Sequence, residues 1–345
     1  MEKPESRSRI PDIARLAGVS TATVDRVLNG RGHVRGATAQ RVLKAAAELQ
    51  YLPEEDLWKS MRPPPMEIVF LIPAGTNRYL HMLADTIGYA TDALLPFNVH
   101  CRVNTIDSFD PDGVAAALRH HGQRVQGLAF MALEHPKVRD AVDALVERGV
   151  HVITLISDVS NSRRAAYVGM DNRAAGRTAG MLMGRFIGPR SGPVAMIAAS
   201  RHYRGHEDRE LGFLHLIQEQ FPALQLVGVR EGRDDADTNH RLALSLLRQY
   251  PNLVGLYNIG GGAEGVGRAL KACRTEQPVV VIAHGLTPDT RALLIDGTLD
   301  AVINQHPQTM ILNCARIFSN LRDGRNATSG VEPMRISIVL RENLP

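Results

Sequence analysis

The feature that most constrains this chain is an apolar repeat at helical spacing near its start, interrupted once by a short turn. The repeat comprises Ile13, Leu16 and Ala17, followed after the interruption by Val24, Val27 and Leu28. Gly18 can adopt the left-handed backbone conformation that ends a helix, and the Ser20 hydroxyl can cap the start of the next one. Two short helices joined by such a turn form a helix-turn-helix.

A third amphipathic run follows, for which we expect a cap at Thr38. Its apolar face comprises Val42, Leu43, Ala46 and Leu49. Three helices of this size bury one small core and leave a face of the second helix free. That face carries the short side chains of Thr21 and Ala22, together with Asp25 and Arg26, whose guanidinium can bond a guanine edge at two points. Small helical domains of other kinds show the same spacing, so the spacing alone does not decide for DNA.

A longer string of residues extends the pattern. It comprises Pro11–Ser20, Thr23–Gly30, His33-Val34, Thr38 and Tyr51–Pro53. This string closely resembles the lactose-repressor/galactose-repressor family of bacterial transcription regulators, which carry it at the N-terminus before a larger domain. The resemblance implies that Thr21, Ala22 and Arg26 read bases. The residues that it implies position the DNA backbone are Ser20, Thr23, Asn29, His33, Arg35 and Thr38.

One position departs from the family pattern. Asp25 stands where the family usually has serine, and a carboxylate there repels phosphate unless it accepts from a cytosine N4 or pairs with Arg26. The operator is therefore expected to differ from those of known members.

The length and the charge distribution favour a small, positively charged module followed by a larger, neutral one. At 345 residues the chain is too long for one compact core. Residues 1–53 hold nine Lys/Arg against five Asp/Glu, whereas the rest holds 31 of each sign, so the whole net charge of +4 lies on the proposed DNA module. No apolar run approaches the ~20 residues of a membrane span. Residues 1–9 lack an apolar signal core, so we expect a cytoplasmic protein.

Cysteine usage points the same way. Cys101, Cys273 and Cys314 lie far apart with no CxxC spacing, which suits a reducing compartment and no metal cluster. We expect all three to serve as small buried hydrophobic residues and predict no metal and no cofactor.

Residues 54–65 form the expected hinge or linker, which ends in the triple proline Pro63-Pro64-Pro65. In the resembled family this segment becomes a helix on DNA binding and inserts a leucine into the minor groove. Here the matching position is Ser60, and a shift of one residue would make Met61 the inserted side chain. A plain acidic linker without insertion is the alternative.

From Met66 the chain alternates between apolar runs and helical segments, which predicts parallel sheets covered on both faces. The expected strands are Glu67–Pro73, Asn98–Asn104, Val125–Met131, Val150–Ile156, Ala166–Met170, Gly192–Ala198, Leu224–Val229, Leu253–Asn258, Val279–Ala283 and Leu299–Gln305. The expected helices include Tyr79–Leu95, Pro111–His121, Lys137–Arg148, Ala174–Ile187, Glu210–Phe221 and Thr238–Tyr250. About ten strands exceed one comfortable doubly wound sheet, so two lobes are expected.

The predicted fold is a small all-α helix-turn-helix domain at 1–53 and an α/β two-lobed, periplasmic-binding-protein-like domain with two doubly wound parallel sheets at 66–345. We expect the N-lobe at about 66–187 plus 308–330 and the C-lobe at about 190–304 plus 331–345. The resembled family carries a sugar-binding domain here. The matching stretches are Pro73–Tyr79, Val125–Leu128, Gly169–Asn172, Asp208–Phe213 and Leu340–Leu344.

The resemblance also implies a ligand pocket in the cleft between the lobes. Its expected residues are Asn77, Tyr79, Asp171, Arg209, Asn258, His284 and Gln305. Carboxylate, guanidinium and amide groups can hold adjacent hydroxyls, and an aromatic ring can cover an apolar sugar face. His284 replaces the aspartate usual in sugar-binding relatives. The effector is therefore left open among sugar, polyol, sugar acid and sugar phosphate.

Two other functions have some support. Gly260–Gly265 reads GxGxxG after a strand, as in dinucleotide-binding dehydrogenases, but the acid expected about twenty residues later is missing, because Ala283-His284 ends the next strand. A transporter's solute-binding protein shares the two-lobed fold, but the helix-turn-helix and the missing signal oppose it. We expect no enzyme. The predicted mechanism is a homodimer, without the heptad tail of a tetramer, on a palindromic DNA operator, with effector-driven lobe closure altering the spacing of the DNA modules.

Overall fold

A computed structural model describes residues 10–29, 34–51, 64–107, 109–273 and 277–345. The chain divides into two compact units, Met1–Pro65 and Met66–Pro345. His33, Met61 and most of the expected hinge lie outside the described residues. In the described part, no helix has both the length and the apolar character needed to cross a bilayer.

The first unit contains helices α1 (Ile10–Ala17), α2 (Thr21–Leu28) and α3 (Gly36–Glu48). Gly18 has φ +65°, and the Ser20 hydroxyl accepts from the Thr23 amide at 3.2 Å, so the predicted turn and cap are confirmed. The three helices share a core that includes Ile13, Val24 and Val42.

Two details of this unit differ from the sequence expectation. Helix α3 starts at Gly36, and Arg35 occupies its N-cap position without a side-chain hydrogen bond, so Thr38 lies inside the first turn and is not the cap. Leu16 matches the apolar period but is 51% exposed. The helical period predicts which face of α1 a residue lies on. The partner helices do not cover the whole apolar face of this short helix, so Leu16 stays exposed.

The second unit begins with a lobe built on a parallel sheet in the order β2-β1-β3-β4-β5. Its strands are β1 (Met66–Pro73), β2 (Val99–Ile106), β3 (Gly127–Phe130), β4 (His151–Leu155) and β5 (Ala166–Val168). Its helices are α4 (Arg78–Tyr89), α5 (Thr91–Leu94), α6 (Pro111–His121) and α7 (Pro136–Glu147), with a 3-10 turn at Leu95–Phe97. Strand β1 is the central strand and is almost wholly buried, with Ile68 pairing with Cys101 on one side and Gly127 on the other.

A second sheet has the order β11-β10-β9-β8-β6-β7 and forms the other lobe. Its strands are β6 (Gly192–Ala198), β7 (Leu224–Glu231), β8 (Gly255–Asn258), β9 (Val280–His284), β10 (Ala301–Asn304) and β11 (Ser337–Val339). The remaining helices are α8 (Asn172–Ile187), α9 (Arg204–Gln220), α10 (Ala236–Gln249), α11 (Ala263–Ala272), α12 (Pro288–Ile295) and α13 (Pro307–Arg322), and a 3-10 turn at Arg341–Asn343 follows β11. Only β11 is antiparallel among the described strand pairs of this sheet.

The chain crosses between the lobes at different points from those expected. Helix α8, which the sequence placed in the N-lobe, packs on α9 and the second sheet through Ala175, Ala179 and Met183. The first crossing therefore precedes Asn172. Helix α13 returns to the first lobe, where Phe318 is buried, and β11 pairs again in the second sheet. Cys314 is buried as predicted, whereas Cys101 and Cys273 are only partly buried.

Candidate effector cleft and DNA-binding face

A cavity of about 50 Å³ lies between the two lobes of the second unit. Parallel strands direct their carboxyl ends toward this cleft, and the loops that follow them supply most of its lining. Of the predicted pocket residues, the cavity is lined by Asn77, Tyr79, Arg209, His284 and Gln305. Two polar residues that sequence reasoning missed, His206 and Asp234, also line it. The lining is completed by apolar side chains that include Leu80, Met131, Ile156 and Ile303.

Arg209 is the central cation of the cleft and is only 4% exposed. Its Nε donates to Asn172 Oδ1 at 2.8 Å, and Nη1 donates to the Ile259 carbonyl at 2.8 Å. Burial lowers the pKa of the guanidinium, which nevertheless stays charged because the pKa of arginine starts above 12. Arg209 lies inside α9, which begins before the expected start at Glu210, because the charged first turn hides the helical period.

Asp234 joins the two lobes. Its Oδ2 accepts from Asn77 Nδ2 at 2.8 Å, its Oδ1 accepts from the Gly261 amide at 2.5 Å, and its backbone carbonyl accepts from Thr76 Oγ1. Burial raises the pKa of Asp234, and these donors together with Arg209 oppose that rise. The available sequence signal was an acidic loop directly after β7, at the carboxyl end of a parallel strand, where loops supply the cleft lining.

Tyr79 and Gln305 form a second connection between the lobes. The Tyr79 hydroxyl donates to the Gln305 backbone carbonyl at 3.2 Å, and Gln305 Oε1 accepts from the Met170 amide at 3.2 Å. Asn77 Oδ1 caps α4 by accepting from the Tyr79 amide, which fixes the start of the helix that carries Tyr79. Arg78 adds an exposed ion pair with Asp289 at 3.2 Å.

His284 ends β9 and is 8% exposed. Its Nε2 lies 2.7 Å from the Tyr257 hydroxyl, whereas its Nδ1 has no hydrogen-bond partner within the described structure. Burial and the nearby Arg209 hold the pKa of His284 well below its usual value, so the ring is neutral at physiological pH. A neutral imidazole therefore stands where sugar-binding relatives were expected to carry an anion.

His206 lies on α9, one turn before Arg209. Burial, with a smaller effect from Arg209, lowers its pKa to about 3, and the Ser200 backbone forms a hydrogen bond with the ring. Its Nδ1 is buried and, like that of His284, finds no partner among the described residues. No sequence pattern distinguishes this histidine from others in a charged helical turn, which is why it was missed.

Two residues of the cleft have strained backbone. Ile156 and Asp234 have φ of +61° and +58°, in the left-handed region that side-chain-bearing residues rarely adopt. Both line the cavity. Strain of this kind persists where the surrounding structure holds it and is concentrated at ligand sites and switch regions.

Two of the predicted pocket residues do not line this cavity. Asp171 is exposed and caps α8, its Oδ1 accepting from the Ala174 amide at 2.9 Å. Asn258 is fully buried, donates to the carbonyls of Gly260 and Gly261, and faces Asn239. The resemblance implied both as pocket residues, but their side chains are committed to local structure.

The glycine run before α11 has structural explanations. Gly261 approaches Asn77 of the opposite lobe and donates its amide to Asp234, and Gly262 takes φ +72° at the N-cap of α11. A Cβ at Gly265 would overlap the Ala236 carbonyl of α10. Lobe contact and helix packing thus account for the GxGxxG spacing without a nucleotide.

The expected DNA-reading face of the first unit is open to solvent. Thr21, Ala22 and Arg26 are exposed on α2, and Arg35 is exposed at the start of α3. The Asp25 carboxylate accepts from Asn29 Nδ2 at 2.8 Å one turn later, so it is engaged with Asn29 rather than with Arg26. Thr23 is partly buried, and its hydroxyl lies 2.9 Å from that of Ser20.

Sequence comparison identifies both units. Residues 9–54 match the family described as bacterial regulatory proteins, lacI family, and residues 110–326, more than half of the chain, match the periplasmic binding protein domain. An HTH-type transcriptional regulator encoded in the aml 5′ region of Streptomyces limosus is 30% identical over 248 residues, covering 70% of this chain and 68% of that protein. This chain belongs to the lacI family of bacterial regulators.

Other relatives match shorter stretches of this LacI-family protein. The ribose operon repressor of Bacillus subtilis is 41% identical over 75 residues, which cover 22% of this chain and 23% of that repressor. Catabolite control protein A of Streptococcus mutans is 27% identical over 176 residues, covering 51% of each chain. The family assignment makes this LacI-family protein a DNA-binding transcription regulator.

Solved structures agree on the fold of the larger unit. GanP, a glucose-galactose binding protein from Geobacillus stearothermophilus, has a TM-score of 0.74 at 21% identity, covering 82% of this chain and 100% of that one. A sugar-binding protein of a sugar ABC transporter from Bacillus halodurans has a TM-score of 0.68 at 22% identity, covering 80% and 98%. The predicted periplasmic-binding-protein-like fold with a helix-turn-helix is confirmed.

Proposed function

We propose that this LacI-family protein is a ligand-responsive repressor of a carbohydrate or polyol utilisation operon. It binds a near-palindromic operator as a homodimer, and a small hydroxylated effector binds in the cleft between its lobes. It acts in the cytoplasm, where the DNA is, and catalyses no reaction on the effector.

One observation carries the effector part of the proposal. The cleft brings a buried guanidinium, two neutral imidazoles, amides and a carboxylate into one small cavity lined elsewhere by apolar side chains. Convergent polar groups in a largely apolar cavity are the usual composition of a small-molecule site. The hydrogen bond from Asn77 to Asp234 joins the lobes around it, so a ligand that binds the closed form better than an open form shifts the population toward closure.

Operator binding is tested by incubating the purified full chain with sheared genomic DNA from its source, followed by sequencing of the retained fragments and footprinting. We expect a near-palindrome protected on two half-sites. Arg26→Ala should relax base preference at one position of each half-site, at a cost of about 1–3 kcal/mol. Arg268→Ala, which removes an exposed cation of the larger unit, is the matched control and should leave DNA binding unchanged.

The homodimer has a candidate contact on the first lobe. Tyr89 at the end of α4 is 87% exposed, and Leu95 in the following 3-10 turn is 56% exposed. Large apolar side chains exposed near each other are more common at protein interfaces than on free surfaces. Tyr89→Glu should give a monomer in sedimentation equilibrium and weaken operator binding, whereas Phe186→Glu, at a 40% exposed position of the other lobe, should leave the dimer intact.

The absence of sequence-specific DNA binding would overturn this function. If the chain shows no preference for any genomic fragment over bulk DNA at physiological salt, it is not a sequence-specific repressor.

Incubation of candidate effectors with the protein, followed by mass spectrometry of the recovered compound, tests the enzyme alternative. We expect the effector to be recovered unchanged.

A further inference from the structure

The cleft contains a buried positive charge that no carboxylate contacts directly. Among the described ion pairs none includes Arg209, although the side chain is only 4% exposed. Its two described hydrogen bonds, to Asn172 and Ile259, use Nε and one Nη1 proton, which leaves the remaining Nη protons for another acceptor. Buried charges are ordinarily paired. The geometry therefore favours an anionic oxygen on the ligand.

Asp234 does not serve as that partner. It attracts Arg209 at long range, but one of its oxygens accepts from Asn77 and the other from the Gly261 amide. Each oxygen thus already accepts one hydrogen bond, and among the described ion pairs none joins Asp234 to Arg209. A second anion, supplied by the ligand, is needed to contact Arg209.

His284 offers a hydrogen-bond donor beside Arg209. Tyr257 is fully buried, burial raises the pKa of its hydroxyl, and the described partner of that hydroxyl is His284 Nε2. A neutral phenol satisfies its proton by donating it to Nε2, which places the imidazole proton on Nδ1. This Nδ1 is one of the buried atoms without a partner in the described structure. His284 therefore presents an N–H group to a ligand oxygen.

His206 offers the opposite chemistry. Its ring donates one N–H to the Ser200 backbone, and Nδ1 is the other buried nitrogen that lacks a partner in the described part of the chain. Because the ring is neutral, Nδ1 carries a lone pair and accepts a hydrogen bond. A carboxylate cannot supply that proton, whereas a hydroxyl can. The cleft thus requires both an anionic acceptor and a hydroxyl donor on one ligand.

We propose that the effector is a polyhydroxylated monocarboxylic acid, of the aldonic or uronic type, whose carboxylate binds Arg209 and His284 and whose hydroxyl donates to His206. This inference rests on the proposed function, of which it specifies the effector class. One fixed cation matches the single charge of a carboxylate, whereas the dianionic phosphate of a sugar phosphate would leave charge unpaired. The apolar side chains of Leu80 and Ile303 cover the carbon skeleton.

The test compares matched pairs of acid and neutral compound on the full chain. The probes are D-gluconate with D-glucose and D-glucitol, D-galactonate with D-galactose, D-glucuronate, D-galacturonate, and the 6-phosphates of glucose and gluconate. Thermal shift followed by calorimetric titration should show at least one acid binding and its neutral counterpart binding about tenfold to hundredfold more weakly, as expected for charge-assisted hydrogen bonds. A neutral sugar or a phosphate that binds as tightly as the best acid overturns the proposal.

Variants at His284 test whether the site recognises the negative charge of the ligand, and their melting temperatures show whether the fold is kept. His284→Asn keeps an amide donor and should retain acid binding. His284→Asp places a fixed anion beside Arg209 and should weaken acid binding about tenfold or more, without weakening binding of neutral sugars in the same way. Both variants must unfold within a few degrees of the parent in the absence of ligand. If they do not, Arg209→Lys, which keeps the positive charge, replaces them and should retain the preference for acids.

Failure of this inference is distinguishable from failure of the proposed function. If the chain binds a genomic operator and a neutral sugar relieves that binding while no acid does, the repressor function stands and the acid assignment is wrong. Acid binding by a chain that selects no genomic fragment supports the acid assignment and overturns the repressor function. Operator binding with no response to any acid in the panel overturns the acid assignment.

Discussion

The Asn77 side chain donates to Asp234 across the cleft at 2.8 Å, while its carbonyl oxygen accepts from the Tyr79 amide at the start of α4. One amide therefore both caps a helix of the first lobe and binds a buried carboxylate of the second. These two roles depend on different atoms, Nδ2 and Oδ1, so substitutions can separate them. Lobe closure is the property that follows from the first role.

Asn77→Asp should open the cleft without disturbing α4. The new carboxylate can still cap the helix, but it loses the donor and lies against Asp234, so the closed form is destabilised about tenfold to hundredfold. Small-angle X-ray scattering of the unliganded chain measures closure, and the radius of gyration should increase as the open form becomes populated. Asn77→Ala removes both roles and should also lower the melting temperature. A scattering profile that matches the parent in both variants would contradict this account.

The cap at Ser20 gives a prediction for the first unit. Ser20→Ala removes the acceptor for the Thr23 amide and should destabilise the three-helix unit by about 1 kcal/mol. Ser20→Asp keeps a good cap, since aspartate accepts the same hydrogen bond, but adds a negative charge at the expected phosphate contact. We expect Ser20→Asp to melt like the parent by circular dichroism yet bind DNA more weakly than Ser20→Ala. Equal DNA affinity of the two variants would remove Ser20 from the DNA contact.

Asp25 carries a charge that opposes phosphate binding on an otherwise favourable face. Asp25→Asn removes that charge and keeps an oxygen that accepts from Asn29, so α2 should remain folded. Removing one repulsive charge should raise affinity for non-specific duplex about twofold to tenfold at low salt, with the difference shrinking as salt rises. Fluorescence anisotropy over a salt series measures both effects. A loss of affinity confined to the operator would instead indicate that Asp25 accepts from a cytosine.

Sequence reasoning was most successful where local chemistry decides the structure. The strand Gly192–Ala198 and the helix Pro111–His121 were predicted with their observed bounds, because an apolar run and an Asp110-Pro111 start are strong local signals. Strand β11 was missed, since three residues at a sheet edge carry no apolar run. The placement of α8 was wrong, because its apolar stripe is compatible with either sheet.

The site was predictable only in part for a related reason. The resemblance implied Asn77, Gln305 and His284 as pocket residues, and all three line the cleft. It does not indicate whether a side chain is already committed elsewhere, as Asp171 is to its helix cap. His206 escaped notice because its importance depends on burial and on an unpartnered nitrogen, which only the packed structure reveals.

Acid should destabilise the larger unit through its buried histidines. In the folded state the pKa of His206 is about 3 and that of His284 is also well below 6.5, whereas the unfolded chain protonates them near 6.5. As the pH falls through 6.5 the unfolded state therefore binds more protons, and stability falls with a slope that approaches about 1.4 kcal/mol per pH unit for each histidine well below pH 6.5. His121 and His151, whose pKa values burial also lowers, act in the same direction.

Chemical denaturation between pH 7.0 and 5.5 measures this slope. Burial raises the pKa of Asp234, so protonation of its carboxyl in the folded state opposes this trend as the pH falls through that pKa. His206→Gln should reduce the loss of stability between pH 7.0 and 5.5 by about 1.3 kcal/mol in total, because one titrating group is removed. A parent stability that does not change over this window would show that the two imidazoles are protonated or exposed in the folded protein.

The contact between α8 and α9 fixes the position of the Arg209 backbone. A Cβ at Gly176 would overlap the backbone oxygen of Arg209, and one at Gly212 would overlap that of Arg173, so the two helices approach closely through glycine. Gly176→Ala should force them apart, costing about 1–3 kcal/mol by overpacking and displacing the guanidinium. Effector affinity should fall further than stability alone explains.

Gly88→Ala, in α4 with open space around it, is the matched control and should stabilise by about 0.4–1 kcal/mol. If Gly176→Ala instead behaves like Gly88→Ala in denaturation and in effector titration, helix contact does not set the position of Arg209.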